Sequence, residues 1–227
     1  MSASSGESLR QILSDLHAER VRTWEPAVLE ININQRRTLV ETADRDGFVK
    51  VGDRIDPFVL PEVLGGQVSL DALLEDGPAV LIFFRYAGCP ACNLALPYYQ
   101  RQLQPELKAM GATLVAISPQ IPQSLVEIKT RHKLNFLVAS DIGNALGRRF
   151  GILYTFDEAS QRASLAKRSF IGDTTGTGTW ELPMPTVIVV DQDRVVRFVA
   201  VSPDWLDRPE AGPIAEAVRE LALETVA

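Results

Sequence analysis

Two cysteines, Cys89 and Cys92, are the only thiols among the 227 residues, and they form a Cys-Pro-Ala-Cys motif. Residues three apart in the first turn of a helix lie on one face, about 5–6 Å from each other. A small local adjustment then brings their sulfurs to disulfide-bonding distance. The spacing therefore predicts a redox-active cysteine pair.

Other uses of the pair have weaker support. A four-coordinate zinc site needs more donors, and the chain holds no other cysteine and only His17 and His132. Copper transfer by both thiols is an alternative, but no methionine or histidine stands near the motif in sequence. An inert buried pair is a further alternative, which the intervening Pro90 disfavours. We predict no metal and no other cofactor.

The flanking sequence places the pair on a strand-to-helix turn. Residues 78–84 are apolar and rich in β-branched and aromatic side chains, as in a buried parallel strand. Residues 93–110 follow a helical pattern, and Pro90 suits the first helical position. The first cysteine then lies where free backbone N–H groups point outward.

That position favours a thiolate, since the helix dipole contributes about 0.3–1 kcal/mol. Lowering a thiol pKa from about 8.5 to about 7 requires about 2 kcal/mol. Hydrogen bonds to sulfur, or the charge of Arg85, have to supply the remainder. We predict that Cys89 is the exposed nucleophile of low pKa and that Cys92 is the more buried resolving cysteine.

Composition narrows the function classes. Hydrophobic residues make up 46% of the chain, which allows a sizeable core, and the net charge of −6 argues against nucleic acid as a partner. No apolar run approaches the roughly 18 residues of a membrane span. The polar N-terminus does not look like a secretory signal. Together with the two cysteines, these features predict a cytoplasmic protein.

The predicted organisation is an N-terminal helical extension, residues 1–47, followed by a redox domain, residues 48–227. Residues 7–45 show helical periodicity in two pieces, although the alternation at residues 31–34 leaves a local strand open. The extension can pack on its own domain or on a second subunit. We favour the second subunit, which would make the protein a homodimer.

The rest of the chain alternates strands and helices, which predicts an α/β fold with a mixed or parallel central sheet and right-handed crossovers. Residues 153–182 interrupt this rhythm, and we interpret the glycine-rich residues 172–178 as a linker rather than a mobile lid. Neither a G-x-G-x-x-G motif nor a P-loop is present, so a nucleotide site has no support. The strands and helices are expected at residues 70–74, 113–118, 124–133, 134–139, 186–190, 195–201 and 213–223.

This plan resembles the thioredoxin fold. Pro97 lies eight residues after Cys89, where thioredoxins carry a kinking proline. The Met184-Pro185-Thr186 segment before a strand is similar to their X-Pro-Thr loop. The resemblance implies a cis Met184–Pro185 bond beside the active disulfide, with neighbouring backbone free to pair with an extended substrate.

The body of the chain is closer to peroxiredoxins, the alkyl hydroperoxide reductase/thiol-specific antioxidant family. The resemblance covers roughly residues 48–222, and the N-terminal helices more weakly. A peroxiredoxin-like bacterial subgroup with Cys-Pro-x-Cys shares RYAGCPACNL at residues 85–94 and WELPMP at residues 180–185. The family-like segments are VGDRIDPFVLP (51–61), VSLDAL (68–73), LVAISPQ (114–120), SDIGNALGRRFGI (140–152) and DQDRVVRF (191–198).

Several positions depart from the peroxiredoxin pattern. The family surrounds its reactive cysteine with Pro-x-x-x-Thr/Ser-x-x-Cys and a later arginine, which bind and polarise the peroxide O–O bond. Here Ile82 replaces the proline, Tyr86 replaces the Thr/Ser, and Met184 takes the place of the arginine. Substrate binding or thiolate stabilisation is therefore assigned to Arg85, Tyr86, Pro90, Met184 and Pro185.

The leading functional hypothesis is a peroxiredoxin-like thiol peroxidase. Cys89 would reduce a peroxide and become a sulfenic acid, Cys92 would condense with it to a disulfide, and an external thiol such as a thioredoxin-like protein would reduce that disulfide. The alternative is a thioredoxin-like oxidoreductase that acts on protein disulfides. A further alternative is a non-enzymatic redox-sensing interaction module. No nucleic acid or membrane partner is predicted.

Overall fold

The computed structural model describes residues 6–224. Its helices are α1 (Leu9–Thr23), α2 (Pro26–Thr42), α3 (Leu70–Leu73), α4 (Pro90–Gln102), α5 (Gln104–Ala109), α6 (Pro122–His132), α7 (Ala145–Arg149), α8 (Glu158–Ala166), α9 (Ile171–Thr175) and α10 (Ala211–Glu224). Its strands are β1 (Val59–Pro61), β2 (Gln67–Ser69), β3 (Ala79–Phe83), β4 (Thr113–Ser118), β5 (Leu137–Ser140), β6 (Leu153–Thr155), β7 (Glu181–Pro183), β8 (Thr186–Val190) and β9 (Val196–Val201).

A five-stranded mixed sheet in the order β5-β4-β3-β8-β9 forms the centre of the molecule. Strand β3 pairs in parallel with β4 and antiparallel with β8, so it lies in the middle of the sheet. All five residues of β3 are buried, as its continuous apolar run predicted. The cysteine motif follows this central strand directly.

The core occupies both faces of the sheet, because alternate residues of β3 point to opposite sides. Val80, Ile82 and Phe84 belong to one apolar cluster together with both cysteines, and Leu81 and Phe83 belong to the other. The predicted strands 113–118 and 186–190 are confirmed without change of bounds. The predicted strand at 134–139 begins later, at Leu137.

Helices α1 and α2 confirm the two helical pieces expected before the domain, and residues 31–34 are helical rather than extended. Leu9 and Leu13 of α1 are completely buried in the same apolar cluster as the cysteines. The favoured packing of this extension on a second subunit is therefore wrong for α1. Its apolar side is already covered by its own chain, chiefly by α4.

Glu210 holds the start of α1 against the body. Its carboxylate accepts hydrogen bonds from the backbone N–H groups of Leu9 and Arg10, at 2.9 and 3.0 Å. The Ser8 hydroxyl donates to the same carboxylate at 2.8 Å and the Tyr98 hydroxyl at 2.6 Å. Free N–H groups at a helix start need such acceptors, so the extension is fixed by charge-assisted hydrogen bonds as well as by apolar packing.

The long helix after the motif is interrupted, as its prolines predicted. Helix α4 ends at Gln102 and α5 begins at Gln104, one residue before Pro105. Pro97 lies inside α4. Residues 153–182 form a small unit in which β6 pairs antiparallel with β7. The linker interpretation of residues 172–178 is wrong in part, because α9 extends through Thr175.

Within residues 6–224, no helix combines the length and the apolar character required to cross a membrane.

Candidate active site

The two cysteines lie at the start of α4. Cys89 is the residue before the helix, Pro90 takes its first position, and the Cys92 N–H donates to the Cys89 Sγ at 3.4 Å. Both cysteines are free, with their sulfurs 2.8 Å apart and sharing a hydrogen bond. The strand-to-helix placement predicted from sequence is thus confirmed. The pair is close enough to form a disulfide with little movement.

Both sulfurs are buried, which overturns the prediction of an exposed Cys89. Cys89 is 1% exposed and Cys92 is 0% exposed. The low pKa predicted for Cys89 is also wrong for this arrangement, because burial raises the pKa of Cys89 and the hydrogen bond with Cys92 raises it further. Burial also acts to raise the pKa of Cys92, but the Cys89 hydrogen bond and the Arg208 guanidinium lower it well below its ordinary value. These directions favour negative charge on Cys92 and the proton on Cys89.

Arg208 contacts Cys92 and stabilises negative charge on its sulfur. Its Nη2 donates to the Cys92 Sγ at 3.4 Å, and its Nε donates to the Trp205 carbonyl oxygen at 2.9 Å. The second bond fixes the planar guanidinium in front of the sulfur. Sequence reasoning missed Arg208, because it lies 116 residues after Cys92 in a loop with no local signature.

Arg85 lies inside an aromatic enclosure. Its guanidinium is 4.3 Å from the centre of the Trp205 ring, 5.7 Å from that of Tyr86 and 5.9 Å from that of Tyr154. Such rings stabilise a buried cation through their negative faces. Burial opposes the charge, but the neighbouring Tyr154 and Cys89 raise the pKa of Arg85. The predicted nearness of Arg85 to the cysteines is therefore confirmed, and its side chain is buried rather than solvated.

Tyr86 remains a hydrogen-bond donor in this environment. Burial raises its pKa, although the nearby Arg85 acts in the opposite direction. A protonated phenol three residues before Cys89 carries a hydroxyl where peroxiredoxins place that of Thr/Ser. Burial raises the pKa of the neighbouring Tyr154 hydroxyl, while the charge of Arg85 and a hydrogen bond with it act in the opposite direction.

Polar side chains from other elements hold the loop before Cys89. The Gln120 Oε1 accepts the Ala87 N–H at 2.7 Å. The Asn93 side-chain amide donates to the carbonyl oxygens of Ala87 and Cys89, at 2.7 and 2.9 Å. The Ser118 hydroxyl donates to the Arg85 carbonyl oxygen at 3.1 Å. These bonds satisfy the backbone of the buried turn and fix the position of Cys89.

The Met184–Pro185 segment differs from its prediction, because residues 6–224 contain no cis peptide bond. The trans form is intrinsically favoured by about 0.5–1 kcal/mol. Here the backbone also finds all its partners: the Met184 N–H donates to Ile152 and the Pro185 carbonyl accepts from Ser202, both at 2.8 Å. The expected free backbone for an extended substrate is therefore absent from this segment. Met184 and Pro185 are buried beside the end of β3 and make no hydrogen bond to either cysteine.

Arg20 of α1 reaches the same region from the N-terminal side. It is 5% exposed, its guanidinium lies 4.9 Å from the centre of the Trp24 ring, and its Nη1 has no partner. Burial lowers the pKa of Arg20, and Cys89 is its foremost electrostatic neighbour. Sequence reasoning missed Arg20, although its spacing from Leu9, Leu13 and Leu16 places it on the apolar stripe of α1. A charge on such a stripe is the signal that would have found it.

Trp180 and Arg197 have structural roles. Trp180 packs against Phe156 and Phe170, with ring centres 5.7 and 4.6 Å away. Arg197 forms an ion pair with Asp191 at 2.6 Å. Among the described residues, no three His, Cys, Asp or Glu side chains are grouped so that they could hold a metal ion.

Comparison with known proteins gives a consistent result. Residues 51–199 match the AhpC/TSA family. A putative peroxiredoxin of Mycobacterium tuberculosis is 27% identical over 160 residues, which cover 70% of this chain and 90% of that protein. Peroxiredoxin Bcp of Escherichia coli is 32% identical over 110 residues, which cover 46% of this chain and 65% of that protein.

Solved structures show the same fold. Peroxidoxin BcpB from Mycobacterium tuberculosis superposes with a TM-score of 0.59 at 24% identity, over 76% of this chain and 98% of its own. A peroxiredoxin 6 of Arenicola marina gives a TM-score of 0.61 at 14% identity, over 78% of this chain and 75% of its own. The predicted α/β thioredoxin-like fold is thereby confirmed.

Proposed function

The chain belongs to the AhpC/TSA family, as the sequence resemblance predicted, and from that premise we propose that it is a thiol peroxidase in which Cys89 attacks the peroxide and Cys92 resolves the product. The observation that carries this proposal is the pair of free sulfurs 2.8 Å apart with a guanidinium 3.4 Å from one of them. This arrangement provides a nucleophile, a proton acceptor and a resolving thiolate within one helical turn.

In the first step, the Cys89 sulfur attacks the terminal oxygen of a hydroperoxide. An S–O bond forms, the O–O bond breaks, and Cys89 is oxidised to a sulfenic acid while the peroxide is reduced. The Cys92 thiolate takes the Cys89 proton and passes it to the leaving alkoxide, which departs as an alcohol. Arg85 and the Tyr86 hydroxyl stabilise the charge that develops on the oxygens.

In the second step, the Cys92 thiolate attacks the sulfenic sulfur of Cys89. An S–S bond forms and hydroxide leaves, which takes up a proton from solvent to become water. An external dithiol then reduces the disulfide by exchange and is itself oxidised. We propose a thioredoxin-like protein as this reductant. We also propose that the protein forms a homodimer and is located in the cytoplasm.

Action on protein disulfides has less support. Such a substrate needs an accessible sulfur and free backbone to pair with, but both cysteines are buried and the backbone around Pro185 is fully bonded. Mixed disulfides between Cys92→Ser and protein partners would support this alternative. Absence of any trapped partner would count against it.

The first experiment is stopped-flow oxidation of the reduced protein by hydrogen peroxide, followed by tryptophan fluorescence. Trp205 lies directly on Arg85 and is a suitable reporter. We expect a second-order rate far above that of a free thiol, lost in Cys89→Ser. In Cys92→Ser, oxidation should stop at a sulfenic acid that a dione reagent labels on Cys89. A rate no better than that of a free thiol would overturn the proposal.

A further inference from the structure

Three arginines are buried around the two sulfurs and come from distant parts of the chain. Arg20 belongs to α1, Arg85 precedes the cysteine motif, and Arg208 precedes α10. They are 5%, 8% and 6% exposed, respectively. We call these three residues the arginine cluster. All three guanidinium groups are within electrostatic reach of Cys89.

No carboxylate neutralises the arginine cluster. The ion pairs found in residues 6–224 all use other cations, and Asp204, which lies next to Trp205, is bound by Arg36 at 2.8 Å. Within residues 6–224, the Arg20 Nη1 and the Arg85 Nε atoms are buried without a hydrogen-bond partner, although the Arg85 guanidinium also interacts with the Tyr154 side chain. Arginine remains charged in proteins, and unpaired buried charge is costly.

The cysteines cannot balance this charge. Even if both cysteines were thiolates, two negative charges would face three guanidinium groups. At least one positive charge is therefore left over beside aromatic rings, with at least two N–H groups free to donate. A buried site with surplus cations and unused donors is suited to an anion, and the planar guanidinium fork matches the geometry of a carboxylate.

We propose that the arginine cluster is the binding site for the carboxylate of an anionic organic hydroperoxide. This inference rests on the proposed peroxidase function and adds its substrate class. The carboxylate is unchanged in the reaction, which reduces the hydroperoxide group to an alcohol as described above. A singly charged carboxylate on an alkyl body suits this aromatic surrounding better than a more strongly hydrated phosphate dianion. Because both sulfurs are buried, the ligand can reach them only through a local opening of the residues around them.

Arg20 provides the sharpest test, because it is not bonded to either sulfur. The probes are β-hydroperoxyisovalerate and its methyl ester, which differ in the negative charge. For the native protein, we expect kcat/KM to favour the acid by about tenfold after correction for the reactivity of a free thiol with each probe. In Arg20→Gln that preference should fall close to unity. Arg20→Lys should restore part of it, since lysine keeps the charge.

Arg22→Gln is the matched control, because Arg22 lies on the same helix but is exposed. It should retain the full preference for the acid. Equal kcat/KM values for acid and ester in the native protein would overturn the inference, while peroxidase activity dependent on Cys89 would leave the proposed function standing. An equal loss of preference in Arg20→Gln and Arg22→Gln would also overturn it.

A binding measurement separates the site from catalysis. β-Hydroxyisovalerate, the alcohol product, is titrated into the reduced protein by calorimetry. We expect saturable binding that weakens by about tenfold in Arg20→Gln and is unchanged in Arg22→Gln. Binding without any peroxide turnover would support the anion site and count against the peroxidase. Absence of saturable binding would overturn the site itself.

Discussion

At the scale of single residues, one guanidinium is in direct contact with the cysteine pair. The Arg208 Nη2 contacts the Cys92 sulfur, while Cys89 has only a backbone N–H at 3.4 Å in addition to Cys92. An opposite charge favours the ionised form of a nearby group. Arg208 therefore helps to lower the pKa of Cys92, together with the hydrogen bond that links the two sulfurs.

Replacing Arg208 by glutamine should raise the pKa of Cys92. The present pKa is below that of an ordinary thiol, so the thiolate forms at lower pH than usual, and the variant should shift its formation to higher pH. Ultraviolet thiolate absorbance against pH measures this shift. At neutral pH, oxidation by peroxide should slow by about tenfold or more.

The control for this substitution is Arg219→Gln, since Arg219 is a half-exposed residue of α10 with ion pairs at the surface. Its thiolate titration should match that of the native protein. An unchanged titration curve in Arg208→Gln would show that another group places the charge.

Gln120 is a second residue whose effect is local. Its Oε1 accepts the Ala87 N–H at 2.7 Å, and both groups are buried. Gln120→Ala leaves that N–H unpaired, so we expect the free energy of unfolding to fall by about 1–3 kcal/mol. Urea-induced unfolding measures this loss of free energy. Gln123→Ala changes an exposed glutamine three residues away and should have almost no effect; a comparable loss in both variants would contradict this assignment.

At the scale of elements, the segment before α10 joins three parts of the site. Arg208 contacts Cys92, the Pro209 carbonyl accepts the Tyr99 hydroxyl at 2.8 Å, and Glu210 holds the start of α1. Three successive residues thus connect the thiolate, α4 and the N-terminal extension. Movement of α1 and the electrostatics of the cysteines are therefore expected to be linked.

Glu210→Gln should weaken the attachment of α1. The glutamine keeps an acceptor but loses the negative charge that receives two backbone N–H groups and two hydroxyls. Because charge-assisted hydrogen bonds contribute about 1.5–3 kcal/mol, the free energy of unfolding should fall by about 2 kcal/mol. Hydrogen exchange at the backbone N–H groups of Leu9 and Arg10 should accelerate as well. Unchanged exchange there would contradict the attachment of α1 by Glu210.

The same carboxylate gives a pH dependence of defined sign. Burial acts to raise the pKa of Glu210, but the Tyr98 hydroxyl and the α1 backbone lower it from 4.5 to about 2. A lowered pKa stabilises the fold above the unfolded value and the effect disappears as the pH falls. We expect stability to decline between pH 4.5 and about 2, and the decline to be smaller in Glu210→Gln. Identical acid profiles would contradict the role of Glu210.

At the scale of the whole molecule, the sequence predicted what is local and missed what is brought from afar. The strand, the turn and the helix around Cys89 follow from an apolar run and a proline at the first helical position. The burial of Cys89 does not, because the residues that surround it include Arg20, Trp205 and Arg208. The spacing within the motif cannot predict these contacts, because α1 lies more than 60 residues before Cys89 and Arg208 lies more than 110 residues after it.

The trans Met184–Pro185 bond illustrates the same limit. The cis bond was predicted from a family resemblance, but the observed bond is trans. In this chain the Met184 N–H donates to Ile152, and the Pro185 carbonyl accepts from Ser202. Similarly, the apolar stripe of α1 predicted a buried face without identifying the surface it covers. The spacing of apolar residues predicts which face of a helix is buried, but only the tertiary structure shows which residues cover that face.

The N-terminal extension and the domain that follows residue 47 share one apolar core. Leu13 is completely buried in the cluster that holds the cysteines. Leu13→Ala should therefore lower the free energy of unfolding by about 2–5 kcal/mol, through lost burial and a cavity. Val21→Ala on the exposed side of the same helix should lower the free energy of unfolding by less than about 0.5 kcal/mol.

If α1 is part of one cooperative unit, fluorescence and circular dichroism of Leu13→Ala should report one shared unfolding transition, shifted from that of the native protein. Two separate transitions, with only the earlier one shifted, would instead show that the extension is an independent layer over a complete domain.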